Sequence, residues 1–125
     1  MKVKIDNVNK NEKHIMVFCS SSVGDFMVEW IGDSPMIKKE YDIEFDIPEK
    51  LKWRENIILS NVDIGIYSTN NHVKIVAEFE SLDEDGYTTV RVGDDIISVM
   101  TEGKPYNLGD RILLEATLAA YPVDY

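Results

Sequence analysis

Apolar and polar residues alternate through four segments between Val73 and Tyr121, and turns rich in Gly and Asp separate these segments. Because successive side chains of a strand point to opposite faces, a period of two predicts β-strands. The predicted strands are Val73–Glu80, Tyr87–Val92, Ile96–Thr101 and a last strand that runs from Arg111 to Pro122. The Asp85-Gly86 and Gly93-Asp94 steps suit tight turns. The pattern therefore predicts a meandering antiparallel sheet.

The N-terminal half contains shorter segments of the same kind. The predicted strands there are Met1–Asp6, His14–Cys19, Phe26–Ile31 and Tyr41–Ile47. The second and third of these are linked by a turn-rich stretch at residues 20–25 and predict a hairpin. Ile57–Val62 is too apolar to show one buried face, so it is either a covered strand or a short core segment. The best helix candidate, Glu49–Glu55, spans barely two turns, and we expect little or no helix.

These elements predict a single all-β domain over residues 1–125. Regular short strands with frequent turn signals favour a small antiparallel barrel, OB-like or SH3-like, with an additional N-terminal β-hairpin. Closure into a barrel would also protect the edges of the C-terminal meander. The predicted core consists of Phe18, Val28, Trp30, Ile43, Phe45, Ile75, Phe79, Val90, Ile97, Ile112, Leu114 and Leu118.

Composition agrees with a folded domain and points to the cytoplasm. The 125 residues suffice for a proper core, and 44% of them are hydrophobic, which argues against disorder. No apolar stretch is long enough to span a membrane, and the first residues lack the apolar centre of a signal peptide. The single cysteine, Cys19, has no partner for an internal disulfide and is expected to be a buried thiol.

The net charge of −10 is concentrated in the second half of the chain. Residues 1–62 carry nine basic against eleven acidic side chains, whereas residues 63–125 carry four against twelve. Such a charge disfavours nucleic acid, because phosphate backbones require cationic contacts. It favours a basic protein surface as the partner, although net charge also serves solubility alone.

The candidate metal ligands lack the spacing of known sites. Asp83-Glu84-Asp85-Gly86 looks like part of a calcium loop, but with the glycine in the sixth position the twelfth residue is Val92, not the required Glu. His14 and His72 are not spaced with Cys19 as zinc ligands are. We therefore expect no metal and no other cofactor.

Catalytic constellations are also missing from the pattern. Ser20–Ser22 lie in a predicted turn without the G-x-S-x-G setting of a hydrolase nucleophile. Asp42, Glu44 and Asp46 alternate with apolar residues, which is typical of a solvated strand face rather than of an acid–base pair in a cleft. The sequence therefore predicts a protein that is not an enzyme.

Barrels of the OB kind often bind single-stranded nucleic acid on exposed aromatic side chains. Trp53, Tyr67 and Tyr87 are the candidate stacking residues for an oligonucleotide or small ligand, and Lys50, Lys52 and Arg54 form a small basic group beside the tryptophan. Core packing or cross-strand pairing explains the same aromatics without a ligand. The negative second half of the chain weighs against the nucleic-acid interpretation.

Two groups of segments carry a resemblance to a known kind of protein. One is Tyr41-Asp-Ile-Glu-Phe-Asp-Ile-Pro48 with Trp53 and Asn56-Ile57. The other comprises Asp85-Gly86, Val90-Arg91-Val92-Gly93-Asp94, Ile96-Ile97, Leu108-Gly109-Asp110 and Leu118-Ala-Ala-Tyr121-Pro122. Together they resemble small bacterial all-β proteins of unassigned role with an OB-like barrel. The resemblance implies an architecture and a bacterial origin, and it implies no functional residues.

Three functions follow from these observations. The first is a non-catalytic binding protein whose acidic face engages a protein partner, for example an immunity or inhibitor protein that neutralises a cationic bacterial toxin. Its expected partner-binding residues are Asp83, Glu84, Asp85, Asp94 and Asp95. The second is the oligonucleotide or small-ligand binder, and the third is a structural domain that forms homodimers through an uncovered strand edge.

Overall fold

The computed structural model describes residues 1–68 and 72–123. Within these ranges the chain forms twelve β-strands and no helix. The strands are β1 (Lys2–Lys10), β2 (Ile15–Ser21), β3 (Gly24–Trp30), β4 (Glu40–Asp46), β5 (Leu51–Lys52), β6 (Ile57–Leu59), β7 (Gly65–Ser68), β8 (Val73–Leu82), β9 (Tyr87–Val92), β10 (Asp95–Glu102), β11 (Arg111–Ala116) and β12 (Ala119–Pro122). The predicted all-β barrel with little or no helix is confirmed.

Five strands close into a barrel in the order β1-β2-β3-β12-β4, with β4 pairing back onto β1. Strands β1, β2 and β3 form an antiparallel meander, and β2–β3 is the predicted N-terminal hairpin. β12 comes from the far end of the described chain and pairs parallel with β3 and antiparallel with β4. The N-terminal hairpin is therefore part of a closed barrel of its own. It does not extend a barrel formed by the C-terminal strands.

The second sheet has the order β5-β10-β9-β8-β11-β6, and β7 also pairs with β8. A bridge between Trp53 and Ile57 brings its two edge strands together, so the sheet nearly closes. The predicted hairpin turn between β9 and β10 is present. Gly93, the first of its two loop residues, has a φ of 63°. A two-residue hairpin loop favours glycine there because other residues rarely adopt a positive φ.

The candidate helix at Glu49–Glu55 does not form. Leu51 and Lys52 instead pair with the end of β10, and Arg54 takes a left-handed φ of 74°. A helix needs consecutive right-handed residues, and a stretch this short has few hydrogen bonds to offset its nucleation. Of the apolar stretch Ile57–Val62, only the first three residues form a strand, β6.

The predicted final strand divides into two strands that belong to different sheets. β11 pairs with β8 and β6 in the second sheet, and the chain then crosses at Thr117 and Leu118 into the first barrel. The Thr117 N–H donates to the Glu49 carboxylate at 2.7 Å, which holds this crossing in place. Strand β7 was absent from the prediction.

The core runs through both sheets as one cluster of buried side chains. Ten of the predicted core residues are buried there, namely Val28, Trp30, Ile43, Ile75, Phe79, Val90, Ile97, Ile112, Leu114 and Leu118. Phe45 is only partly buried. The prediction for Phe18 is wrong, since it is 37% exposed and pairs with Met27 on the outer face of the barrel. Both faces of β2 are apolar, and the narrow five-stranded interior holds the smaller Val17 and Cys19 instead.

Candidate functional site

A cleft of about 480 Å³ lies between the two sheets, at the junction of β4 and β10. Its acidic lining consists of Glu44 and Asp46 from β4, together with Asp94 and Asp95 from the turn into β10 and its first residue. This volume is in the range of small-molecule and peptide-side-chain pockets. The cleft is the place where the fold gathers negative charge from two distant parts of the sequence.

Strand alternation explains why the β4 acids reach the cleft. Ile43 is buried in the barrel, and its neighbour Glu44 must point outward. Tyr121 of β12 lies directly opposite Glu44 and donates its hydroxyl to the Glu44 carboxylate at 3.0 Å. This hydrogen bond orders one wall of the cleft and places an aromatic ring beside the carboxylate.

Asp95 is the cleft residue at which the two sheets meet. The backbone nitrogen of Met1 is 3.2 Å from Asp95 Oδ1 and donates to the Ile43 carbonyl at 3.0 Å. Asp95 therefore contacts the first barrel directly, whereas Asp94 occupies the turn that precedes β10. The apolar part of the lining includes Ile96, which is 54% exposed.

The structure does not bring the five predicted acids together. The turn with Asp83, Glu84 and Asp85 joins β8 to β9, whereas Asp94 and Asp95 lie at the opposite end of β9. A strand of this length separates the two turns by about 17 Å, at about 3.3 Å per residue. Only the second turn lines the cleft.

Asp83 has a clear structural role in its turn. Its carboxylate accepts the backbone N–H of Asp85 at 2.9 Å and that of Tyr87 at 3.0 Å, while its own carbonyl accepts from Gly86 at 3.2 Å. Such bonds between an Asp side chain and the following backbone stabilise tight turns. Asp83 therefore maintains the hairpin, and its neighbours Glu84 and Asp85 are exposed.

Of the two roles that the sequence allows for Trp53, ligand stacking and core packing, its burial in the structure fits core packing. Only 4% of it is exposed, and its ring lies 4.8 Å from that of Phe79 and 5.9 Å from that of Tyr106. Its Nε1 donates to Thr101 Oγ1 at 3.1 Å, and this hydroxyl also contacts Thr88 Oγ1 at 2.8 Å. The indole closes the second sheet and has no face left for a base.

The two tyrosines proposed with it are exposed but lie far apart in the fold. Tyr67 is on β7, opposite Lys74 at the start of β8, and its hydroxyl donates to the Asp63 carbonyl at 2.7 Å. Tyr87 begins β9, beyond the other end of β8, and is 48% exposed. Tyr87 lines the acidic cleft, where a stacked nucleotide would bring its phosphates close to carboxylates.

The remaining candidate groups are engaged in local contacts. His14 pairs with Glu29, and His72 pairs with Glu115. Burial raises the pKa of the Cys19 thiol to about 12, and the nearby charges of Asp6 and Asp25 add to this effect. In residues 1–68 and 72–123, no three His, Cys, Asp or Glu side chains are grouped so as to hold a metal ion.

The basic group beside Trp53 is also tied into the surface. The Arg54 guanidinium lies 4.3 Å from the Tyr106 ring centre, and its Nε donates to the Lys104 carbonyl at 3.2 Å. Lys52 Nζ is 3.7 Å from a Glu102 carboxylate oxygen. These contacts account for Arg54 and Lys52 without an anionic ligand.

The sequence interpretation missed three residues of the cleft, namely Glu44, Asp46 and Tyr121. The alternation of β4 correctly placed the two acids on its outer face. No local pattern indicates that this face lies beside β10, because that arrangement depends on contacts between distant segments.

No family model, curated protein or solved structure matches the chain. In the part of the chain that the structure describes, no helix has the length and apolar character of a membrane span.

Proposed function

We propose that this protein is a non-catalytic binding protein whose acidic cleft engages a basic protein partner. The observation that carries the proposal is the convergence of Glu44, Asp46, Asp94 and Asp95 on one cleft between two sheets. Opposite charges across an interface steer encounter and fix register, so a lysine- or arginine-bearing segment is the complementary ligand.

The other side chains of the cleft support a protein ligand in particular. Tyr87, Tyr121 and Ile96 expose aromatic and aliphatic surface next to the carboxylates. Protein interfaces are enriched in tyrosine, which combines a large contact area with a polar tip. The stems of lysine and arginine are apolar and can pack on such surface while their charged heads reach the acids.

The charge of the whole chain supports the same partner. With a net charge of −10, the protein attracts a cationic surface before contact and repels nucleic acid. An inhibitor of a cationic toxin, such as a nuclease, is one concrete form of this function and would use the same cleft.

Binding of a fluorescent decalysine peptide, measured by anisotropy, tests the proposal. We expect binding that weakens steeply between about 20 mM and about 300 mM salt, since screening shortens the reach of the charges. A triple variant with Glu44→Gln, Asp46→Asn and Asp94→Asn should weaken binding by about tenfold or more at low salt. These isosteric changes keep the Glu44 side chain able to accept from Tyr121.

The matched control removes the same number of charges away from the cleft. Glu12, Glu84 and Asp85 are exposed and do not line it, so the variant with Glu12→Gln, Glu84→Gln and Asp85→Asn has the same net charge as the cleft variant. Binding by this control should stay close to that of the original protein. Equal weakening in both triple variants would contradict the proposal, because only the overall field would then matter.

A further inference from the structure

Strand β10 has an open edge along most of its length. It pairs with β9 from Asp95 to Met100, but on its other side β5 pairs only with Thr101 and Glu102. In the described ranges, no strand pairs with that second side between Asp95 and Met100. An unpaired strand edge presents backbone donors and acceptors to any chain that can lie beside it.

The backbone groups on this edge can be assigned from the register. The Thr101 N–H donates to the Gly86 carbonyl, which lies on the β9 side. Peptide groups alternate along a strand, so the N–H groups of Ile97 and Val99 also face β9, and those of Ile96 and Ser98 face the open side. The edge thus offers a short ladder at Ile96 and Ser98, and both of these residues line the cleft.

The sequence of β10 lacks the features that usually block strand addition, while Met1 lies beside its Asp95 end and β4 lies across the cleft. Natural sheets protect their edges with lysine, proline, bulges or a covering segment. The strand Asp95–Glu102 contains neither lysine nor proline, and its pairing with β9 runs without a register shift. The only charged side chains of β10 are the acids at its two ends, Asp95 and Glu102.

We infer that a partner binds by adding an extended, lysine- or arginine-bearing strand to the open edge of β10. The charges select this occupant, since Asp94 and Asp95 border the edge and Asp46 faces it across the cleft. A second copy of this chain would place the same acids opposite one another, which disfavours it. This inference rests on the proposed function and adds the mode of binding, in which backbone hydrogen bonds supply affinity and carboxylates supply selectivity.

A ten-residue peptide of alternating lysine and threonine is a suitable probe, because threonine favours the extended state and lysine supplies the charge. We expect it to bind and to slow amide hydrogen exchange at Ile96 and Ser98, whose N–H groups face the added strand. Ser98→Pro removes one of these donors at an edge position that tolerates proline, and it should weaken binding by about tenfold. Ser98→Ala keeps the donor and should bind within about twofold of the original protein.

The outcomes separate this inference from the proposed function. If the peptide binds and the cleft triple variant weakens it, but Ser98→Pro and the two amides are unaffected, strand addition is wrong and the acidic cleft stands. If the peptide does not bind at low salt, both fail. If light scattering shows a dimer whose Ile96 and Ser98 amides are already protected, a second copy occupies the edge and the inference is overturned.

Discussion

The thiol of Cys19 is enclosed in the first barrel, where it faces the Phe26 carbonyl at 3.5 Å. Burial opposes the thiolate most strongly, and the negative charges of Asp6 and Asp25 oppose it further, so the pKa of Cys19 rises from 9.0 to about 12. The nucleophilic form of cysteine is the thiolate. At neutral pH the folded protein therefore keeps this group protonated and structural.

This raised pKa predicts a loss of stability in alkali. Below pH 9 both the folded and the unfolded chain hold the Cys19 proton, so the group adds no pH dependence. Between pH 9 and about 12 only the unfolded chain loses it, and the free energy of unfolding should fall by about 1.4 kcal/mol per pH unit. Urea unfolding of the original protein and of Cys19→Ala at several pH values measures the difference. Parallel curves for the two proteins above pH 9 would refute the assignment.

At the scale of strands, two glycines control how closely the first barrel approaches the second sheet. Gly24 begins β3 with a φ of 138°, and a Cβ there would lie 2.3 Å from the Ile66 carbonyl oxygen. A Cβ on Gly65 of β7 would lie 2.7 Å from the Val23 carbonyl oxygen. The Ile66 N–H donates to that same Val23 oxygen at 2.9 Å, so the close approach forms a hydrogen bond between the two sheets.

Alanine substitutions separate the steric effect from the conformational one. Gly32 also has a positive φ, of 110°, but a Cβ there meets nothing within 4 Å, so Gly32→Ala reports backbone strain alone, about 1–3 kcal/mol. Gly24→Ala adds a backbone clash to this strain and should destabilise by about 1–3 kcal/mol more. Gly65→Ala should show the clash without the strain. Denaturant midpoints measure all three, and similar values for Gly24→Ala and Gly32→Ala would show that the junction yields freely.

Strand alternation predicted most of the elements because it is a local property. Tyr87–Val92 is a strand with the predicted bounds, and the β2–β3 and β9–β10 hairpins have their expected turns. The break between β11 and β12 was not predictable in this way, since the apolar period continues from Ala116 through Leu118 to Ala120. What ends β11 is the pairing of β12 with β3 and β4, more than seventy residues away in sequence.

The same reason explains how much of the candidate site could be predicted. The sequence predicts Asp94 and Asp95 as partner-binding residues from their negative charge and their position in a turn, which are local properties, and both line the cleft. Glu44 was correctly placed on an outer face, but its proximity to those acids depends on the packing of the barrel against the second sheet. The sequence leaves Trp53 open between ligand stacking and core packing, because an aromatic residue between basic residues has the same pattern whether it lies on the surface or closes a sheet.

At the scale of the molecule, two strands connect the sheets beyond ordinary packing. After β11 the chain leaves the second sheet, and β12 completes the first barrel. There the Leu118 carbonyl accepts the Glu29 N–H at 3.0 Å, and the Ala120 carbonyl accepts the Ile31 N–H at 2.8 Å. β7 pairs with β8 of the second sheet, and the Ser68 hydroxyl accepts the Met27 N–H of β3 at 2.8 Å. Separation of the two sheets would therefore break the hydrogen bonds of β7 with the first barrel and divide the shared core.

These connections predict that the chain unfolds as one cooperative unit, and its two tryptophans can test this. Trp30 reports on the first barrel and Trp53 on the second sheet, and both are buried, so exposure will change their fluorescence. In Trp53→Phe and Trp30→Phe variants, each with one remaining reporter, the urea midpoint from fluorescence should coincide with that from circular dichroism, because the two sheets share one buried core and the hydrogen bonds between β7 and the first barrel. Comparison within each variant cancels the destabilisation that the substitution itself causes. A fluorescence transition that precedes the circular dichroism transition in one variant would mean that the corresponding sheet unfolds separately, and the interpretation as a single domain would then be wrong.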